Sequence, residues 1–211
     1  MIKKIISLAV LGLFAGSISA SADTIFTLNS DGCTGGCGTA PFGTITLSQG
    51  ATGVTVTEVL TAGETYAVTG AGKSLEFQLN SPLVISGLTA GFTDSGAATA
   101  STFGSFNNSV DCGTPLCAKG GKSTNFGGPL TFFIAQATIA NFVANGDGYY
   151  FTSDILGTSG NTGNVGAREP GTPGMTPPPA VPEPSSLLLL GTGALGAAGV
   201  VRRRLIAMVR S

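Results

Sequence analysis

Histidine and tryptophan are absent from this chain of 211 residues, and only 10% of its residues are charged. Without histidine the protein has no Ser-His-Asp or Cys-His catalytic site and no imidazole-ligated metal site. The few charges are unevenly spread, because residues 23–181 contain ten acidic and only four basic side chains, a net charge of −6. An acidic body without a basic patch argues against nucleic acid as a partner.

The first 22 residues have the three parts of a secretory signal peptide. Lys3 and Lys4 form the charged region, residues 5–14 the apolar region, and residues 20–22 (Ala-Ser-Ala) the cleavage site. An uncleaved anchor is disfavoured, since about ten apolar residues cover only ~15 Å as a helix, half of a bilayer core. We therefore predict a signal peptide over residues 1–22 and a mature chain that begins at Asp23.

A second apolar segment predicts a transmembrane helix near the other end of the chain. Residues 187–201 contain no charged side chain, and together with the two preceding serines they reach ~25 Å as a helix. Arg202, Arg203 and Arg204 follow directly and are typical of a stop-transfer signal that stays in the cytoplasm. We expect the body to lie outside the membrane and residues 205–211 inside.

Directly before this segment stands the motif Pro182-Glu183-Pro184. The order of motif, short apolar span and arginine cluster, over residues 181–204, resembles the PEP-CTERM sorting signal of Gram-negative bacteria. The resemblance implies a C-terminal sorting signal over residues 182–211, processed near the motif by an exosortase-type membrane transpeptidase. It also implies a protein that is a membrane-anchored precursor first and then reaches the cell surface or the extracellular space, in organisms that make exopolysaccharide.

Residues 167–181 are rich in proline and glycine and are interpreted as a linker between the body and the sorting signal. Proline lacks an amide donor and resists both helix and sheet. We therefore expect an extended, exposed spacer that a processing enzyme can reach.

The body, residues 23–166, is predicted to be all-β, an antiparallel β-sandwich of the jelly-roll or Greek-key kind. Short β-prone runs are separated by turn residues about every eight to twelve positions. Apolar and polar residues alternate over residues 44–48, 54–57 and 75–79, whereas residues 130–137 are apolar on nearly both faces and indicate a central strand. Residues 149–156 are the last long strand that the pattern predicts, and eleven phenylalanines supply the core volume.

Two Thr-x-Thr pairs, Thr44/Thr46 and Thr55/Thr57, lie eleven residues apart, but no third pair continues a fixed period. A repetitive solenoid with threonines on a flat face, as in some ice-binding proteins, is therefore disfavoured. We interpret these threonines as solvent-facing residues of ordinary strands.

The four cysteines, Cys33, Cys37, Cys112 and Cys117, form two closely spaced pairs. An even number of cysteines in an exported chain indicates disulfides, because the compartment is oxidising. The sequence allows three pairings, and we favour the two local ones, since glycine and proline inside each interval can close a small ring. A zinc site of four thiolates is the alternative, although its spacings differ from the C-x2-C pairs of most structural zinc sites.

The remaining candidates for a site are weak. Residues 145–148 (Asn-Gly-Asp-Gly) offer oxygen ligands for calcium but are more typical of a β-turn. Tyr149 and Tyr150 are adjacent, so on a strand they face opposite sides and cannot form one platform for a sugar. The acidic residues show no clustered motif of the kind that glycoside hydrolysis needs.

These patterns predict no catalytic residue, no metal and no cofactor. The favoured function is that of a non-enzymatic surface or matrix protein, structural or adhesive in an exopolysaccharide biofilm. Its expected partners are the exosortase-type transpeptidase, the membrane through the C-terminal helix, and exopolysaccharide. The alternative is a carbohydrate- or calcium-dependent binding module on the same export route, and a glycosidase-like enzyme is a distant third.

Overall fold

The structure is a computed structural model and describes residues 23–67, 69, 72–113, 116–117 and 126–169. In this part of the chain the fold is all-β, and its only helix is a 3₁₀ turn at Ile139–Asn141. The predicted all-β class with antiparallel sheets is confirmed. None of the described residues belongs to a helix that is long and apolar enough to cross a membrane. The predicted signal peptide and the apolar segment 187–201 lie outside the described residues.

The strands form two main sheets and a separate hairpin. Sheet 1 has the order β1-β3-β4-β12-β7, and sheet 2 has the order β2-β14-β13-β6-β11-β8 with β5 also paired to β13. In chain order the strands are β1 (Thr24–Thr27), β2 (Ser30–Asp31), β3 (Gly43–Gln49), β4 (Gly53–Leu60), β5 (Thr65–Tyr66), β6 (Leu75–Phe77), β7 (Ile85–Ser86), β8 (Phe92–Asp94), β9 (Ala98–Ala100), β10 (Gly104–Phe106), β11 (Asn108–Cys112), β12 (Leu130–Ala135), β13 (Phe151–Leu156) and β14 (Thr162–Ala167).

The two sheets pack face to face over a phenylalanine-rich core. The ring of Phe77 in sheet 2 lies 5.5 Å from that of Phe132 in sheet 1, and Phe26 lies 4.9 Å from Phe151. Ile45 is fully buried, as the alternation of its strand predicts. Strand β12 lies between β4 and β7, so its interior position in the sheet is also confirmed.

A second, smaller cluster covers part of the outer face of sheet 2. The β9–β10 hairpin contributes Phe103 and Phe106, which are 2% exposed and pack with the half-buried Tyr149. A Cβ atom at Gly166 would come within 3.0 Å of the Phe103 ring, so the hairpin lies directly against β14. Sheet 2 is therefore enclosed at this point on both faces, whereas sheet 1 is not.

The sequence pattern does not predict one strand of sheet 2, β14. β14 pairs along its whole length with β13 and runs to Ala167, one residue past the expected end of the body. Its two glycines and one asparagine in six residues give it little β-propensity. The burial of Val165 and Ala167 in the core stabilises the strand instead.

Candidate functional site

The outer face of sheet 1 presents an array of hydroxyl groups. Inward residues of β3 and β4 such as Leu47 and Val56 are fully buried, which turns the intervening residues outward, where they are half-exposed. We call this array the threonine face: Thr44, Thr46 and Ser48 of β3, Thr55 and Thr57 of β4, and Thr131 of β12. The interpretation of the four threonines of β3 and β4 as outward-facing residues is confirmed.

The threonine face is ordered in two directions. Thr46 is the register partner of Thr57, and Thr57 is the partner of Thr131, so three threonines form a row across three strands. Ser48 and Thr55 form the adjacent row. Neighbouring strands lie ~4.8 Å apart and alternate residues along a strand ~6.7 Å apart, so the hydroxyls form a regular grid.

No outward-facing residue of sheet 1 is charged. Apolar residues also lie on this outer face, among them Ile25, Val59 and Phe133, which are exposed or half-exposed. Within the row, the Thr131 hydroxyl donates to the Thr57 hydroxyl at 3.4 Å. The threonine face therefore offers neutral hydrogen-bond donors and acceptors to an uncharged partner.

Two acidic side chains are buried on the outer face of sheet 2. Glu76 and Asp154 are both 0% exposed. Asp154 accepts hydrogen bonds from the backbone N–H of Thr69 at 2.6 Å and from its hydroxyl at 2.7 Å. Glu76 accepts from the backbone N–H of Lys73 at 3.1 Å and from the Thr152 hydroxyl at 3.2 Å. The sheet thus brings together acids that are far apart in sequence.

Burial is the main cause of the shifted pKa values of these two carboxyls. It raises the pKa of Glu76 from 4.5 to about 7 against the opposing effect of its hydrogen bonds, and it also raises the pKa of Asp154. A partly exposed ion pair, Lys73 Nζ to Asp111 Oδ2 at 2.9 Å, lies near them. Neither buried carboxyl faces open solvent.

A third buried acid lies inside the sandwich. Glu58 of β4 is 0% exposed, and neither of its carboxyl oxygens has a hydrogen-bond partner. Burial is the largest influence on its pKa; the hydroxyls of Ser153 and Tyr66 act in the opposite direction, and Ser153 also donates to the Ser74 carbonyl at 2.6 Å. Burial dominates and raises the pKa of Glu58 from 4.5 to about 8, so the carboxyl is neutral at pH 7.

A polar cleft of about 350 Å³ opens on the outer face of sheet 2. Backbone of three glycines forms part of its wall, and the other lining residues carry a hydroxyl or an amide: Thr34, Thr69, Ser101, Thr162 and Asn164. We call this the sheet 2 cleft. No sequence pattern points to it, because its lining comes from four separate segments of the chain.

The cysteines form two local disulfides in the structure. Cys33 is bonded to Cys37 and Cys112 to Cys117, the pairing that the turn residues favour. Asp31 fixes the first ring, because its two carboxylate oxygens accept the backbone N–H groups of Cys33 and Cys37, each at 2.9 Å. In this pairing no thiolate is left among the four sulfurs to bind zinc.

Residues 145–148 form a turn that uses its own oxygen atoms. Asn145 Oδ1 accepts the backbone N–H groups of Asp147 and Tyr149, each at 3.0 Å, instead of pointing to an open site. The Arg168 guanidinium lies 4.1 Å from the centre of the Tyr149 ring, whereas Tyr150 packs on Phe26 of the main core. The two tyrosines therefore face opposite sides, as the sequence predicts.

Comparisons with known proteins bear on the C-terminal part of the chain. Residues 180–204 match the family model described as the PEP-CTERM protein-sorting motif. The match includes Pro182, Glu183 and Pro184 and ends at Arg204, and all of these residues lie outside the part that the structure describes. No curated protein and no solved structure matches the chain. The chain thus carries a PEP-CTERM protein-sorting motif, which is consistent with export by exosortase-type sorting.

Proposed function

We propose that this is a non-enzymatic protein of the cell surface or extracellular matrix, with a structural or adhesive role in an exopolysaccharide biofilm. The PEP-CTERM motif supports the export route. The threonine face is the observation that carries the adhesive role, since it is an uncharged, hydroxyl-rich surface on an otherwise acidic body.

The proposed route has three steps. Removal of residues 1–22 exposes Asp23, while the apolar segment 187–201 and the stop-transfer residues Arg202, Arg203 and Arg204 hold the precursor in the membrane. An exosortase-type transpeptidase then cuts near Pro182-Glu183-Pro184. The folded body, a sandwich of jelly-roll or Greek-key kind, is delivered to the cell surface or beyond.

A neutral polysaccharide fits the threonine face better than a charged one. Its ring hydroxyls both donate and accept hydrogen bonds, which matches a grid of threonine hydroxyls. A polyanion would be repelled by the net charge of −6 on residues 23–181, and the threonine face has no cation to offset that repulsion. Many weak contacts along one polymer add up to adhesion through multivalency.

Removing two hydroxyls from the centre of the threonine face should weaken polymer binding. In the double variant Thr46→Val, Thr57→Val the β-branched shape is kept but two neighbouring hydroxyls are lost. At about 1 kcal/mol for each hydrogen bond, we expect binding to fall by about tenfold or more. The measurement is co-sedimentation of the exported protein with cellulose and with purified neutral exopolysaccharide, and with alginate as the charged polymer.

A matched control places the same substitutions elsewhere. Thr93→Val with Thr99→Val removes two exposed hydroxyls from β8 and β9, outside the threonine face, and should bind as the parent does. Equal loss in both double variants, or preference of the parent for alginate, would contradict the adhesive role of the threonine face.

A carbohydrate-binding module on the same route is the second candidate, and the sheet 2 cleft favours it. Its lining is uncharged and rich in hydroxyls. The calcium-dependent form of this candidate has less support, because Asn145 Oδ1 is occupied by backbone N–H groups of its own turn.

A further inference from the structure

We propose that Lys73 and Asp111 become joined by an intramolecular amide bond once the body has folded. Lys73 supplies the amine and Asp111 the carboxyl carbon, from the ion pair whose Nζ and Oδ2 atoms lie 2.9 Å apart. The amide would be a second kind of cross-link beside the two disulfides, and reducing agents would not break it. It involves neither a ligand nor the threonine face, so it stands apart from the proposed function.

The backbone holds the two side chains in fixed positions next to each other. Leu75 is the register partner of Val110 in the pairing of β6 with β11. One step farther along, the hydroxyl of Ser74 accepts the backbone N–H of Cys112 at 3.0 Å, and Lys73 directly precedes Ser74. Reactive groups that are well oriented within one molecule reach effective concentrations of about 10⁵–10⁸ M, which favours a condensation that free amines and carboxylates hardly undergo in water.

The surroundings of the Asp111 carboxyl favour an amide over an ion pair. The side chains of Lys73 and Asp111 are only 28% and 21% exposed. The Oδ1 atom of Asp111 is buried and has no hydrogen-bond partner among the described residues, so half of a charged carboxylate lacks compensation. A buried, charged oxygen without hydrogen bonds is more costly than a neutral amide oxygen in the same place. Conversion of the ion pair to an amide removes both charges and therefore lowers this cost.

The reaction is a loss of water that needs no oxidant and no further reactant. The nucleophile is the neutral amine of Lys73, which forms when the ammonium group passes a proton to a neighbouring carboxylate. A bond forms between Nζ and the Asp111 Cγ, and the bond between Cγ and Oδ2 breaks. Of the three ammonium protons, one stays on the amide nitrogen and two leave with Oδ2 as water. Oδ1 remains as the amide oxygen.

Glu76 is placed to assist the proton transfers. Its Oε1 accepts the backbone N–H of Lys73 at 3.1 Å, which makes it a positioning residue for Lys73. Its register partner is Ser109, two residues before Asp111, so Glu76 and Asp111 lie on the same face of sheet 2. Burial raises the pKa of Glu76 from 4.5 to about 7, and its hydrogen bonds and the nearby charge of Lys73 oppose this rise only in part. Its carboxyl can therefore take up and release a proton near neutral pH.

Tryptic peptide mapping of the reduced and unfolded exported protein tests for the amide bond. Trypsin does not cleave after a lysine whose amine is acylated, so we expect no cleavage after Lys73. The next lysine is Lys119, so the chain from its N-terminus to Lys119 should appear as one peptide, about 18 Da lighter than its sequence. A peptide of full mass that ends at Lys73 would overturn the proposal.

Two variants distinguish the amide from an ion pair and from loss of water elsewhere. Lys73→Arg keeps a positive charge beside Asp111 but lacks the amine, and Asp111→Ala lacks the carboxyl, so peptides of both should have full mass. Asp94→Asn changes an exposed carboxylate of β8 and should be linked like the parent. A loss of water that persists in Lys73→Arg or Asp111→Ala would also overturn the proposal. If either variant fails to fold, the peptide map of the parent decides.

A third variant tests the role of Glu76. Glu76→Gln keeps an oxygen that can accept the Lys73 N–H, but it cannot carry a proton. We expect linkage to form about 100-fold more slowly than in the parent, measured as the linked fraction of protein collected at successive times after synthesis. Linkage at the rate of the parent would contradict proton transfer by Glu76.

Discussion

Replacing Glu58 by glutamine should stabilise the body strongly at neutral and alkaline pH. The Glu58 carboxyl is fully buried between the two sheets without a hydrogen-bond partner, and burial raises its pKa from 4.5 to about 8. Glutamine mimics the neutral carboxyl and carries no charge to desolvate. We expect the free energy of unfolding of Glu58→Gln at pH 8 to exceed that of the parent by about 3–5 kcal/mol.

The direction of the pH dependence follows from the raised pKa. Above pH 4.5 the unfolded chain releases the Glu58 proton while the folded protein keeps it, so unfolding becomes more favourable as the pH rises. The contribution of the protonated Glu58 carboxyl to the free energy of unfolding is fully present below pH 4.5. It is lost progressively as the pH rises to about 8. Burial of Glu76, whose pKa is raised to about 7, adds to the same trend.

Urea denaturation of parent and variant from pH 4 to pH 8 measures this effect. The two proteins should have nearly equal stability at pH 4 and diverge as the pH rises. The control Asp94→Asn removes an exposed carboxylate and should follow the parent throughout. Parallel curves for the parent and Glu58→Gln would mean that Glu58 is not buried as the structure places it.

Replacing Pro182, Glu183 and Pro184 by alanine should prevent processing almost completely. The apolar segment 187–201 and the arginine cluster are unchanged in this variant, so the precursor should still reach the membrane. Without the prolines a helix can extend backwards into the cleavage region, and without Glu183 the motif loses its only charge. Full-length protein should then accumulate in the membrane fraction, whereas the parent appears as a shorter extracellular form.

A matched variant distinguishes recognition of the motif from a general effect of proline loss. Alanine at Pro177, Pro178 and Pro179 removes three prolines from the linker and leaves the motif intact, so processing should continue. The measurement is immunoblotting of membrane and medium in a host that has an exosortase-type enzyme. If both variants are cleaved at the rate of the parent, the processing enzyme does not recognise the motif, which then acts only as a spacer.

Local alternation in the sequence predicts a large part of this fold. The inward positions of β3 and β4, including Ile45 and Val54, follow from their period of two, and the same pattern places Glu58 inward. β14 could not be predicted in the same way, because Gly163 and Gly166 interrupt any apolar pattern. Its existence depends on pairing with β13 and on burial of Val165.

The threonine face and the sheet 2 cleft depend on the register in which the strands pair. A single sequence does not contain this register. The sequence has two Thr-x-Thr pairs and no fixed repeat, yet pairing of β4 with both β3 and β12 places Thr46, Thr57 and Thr131 in one row. The sheet 2 cleft is less accessible still to sequence analysis, since Asn164 and Ser101 meet only through the folding of the β9–β10 hairpin onto sheet 2. The sorting motif, by contrast, can be identified from the sequence alone, because its residues are contiguous.

The most direct test of the account is the intact mass of the protein recovered from the surface and medium of a host with the processing enzyme. We expect one main species that begins at Asp23 and ends close to Pro182-Glu183-Pro184, without the apolar segment 187–201. A species that retains residues 1–22 or the arginine cluster Arg202, Arg203 and Arg204, or protein found only inside the cell, would contradict export and processing by this route.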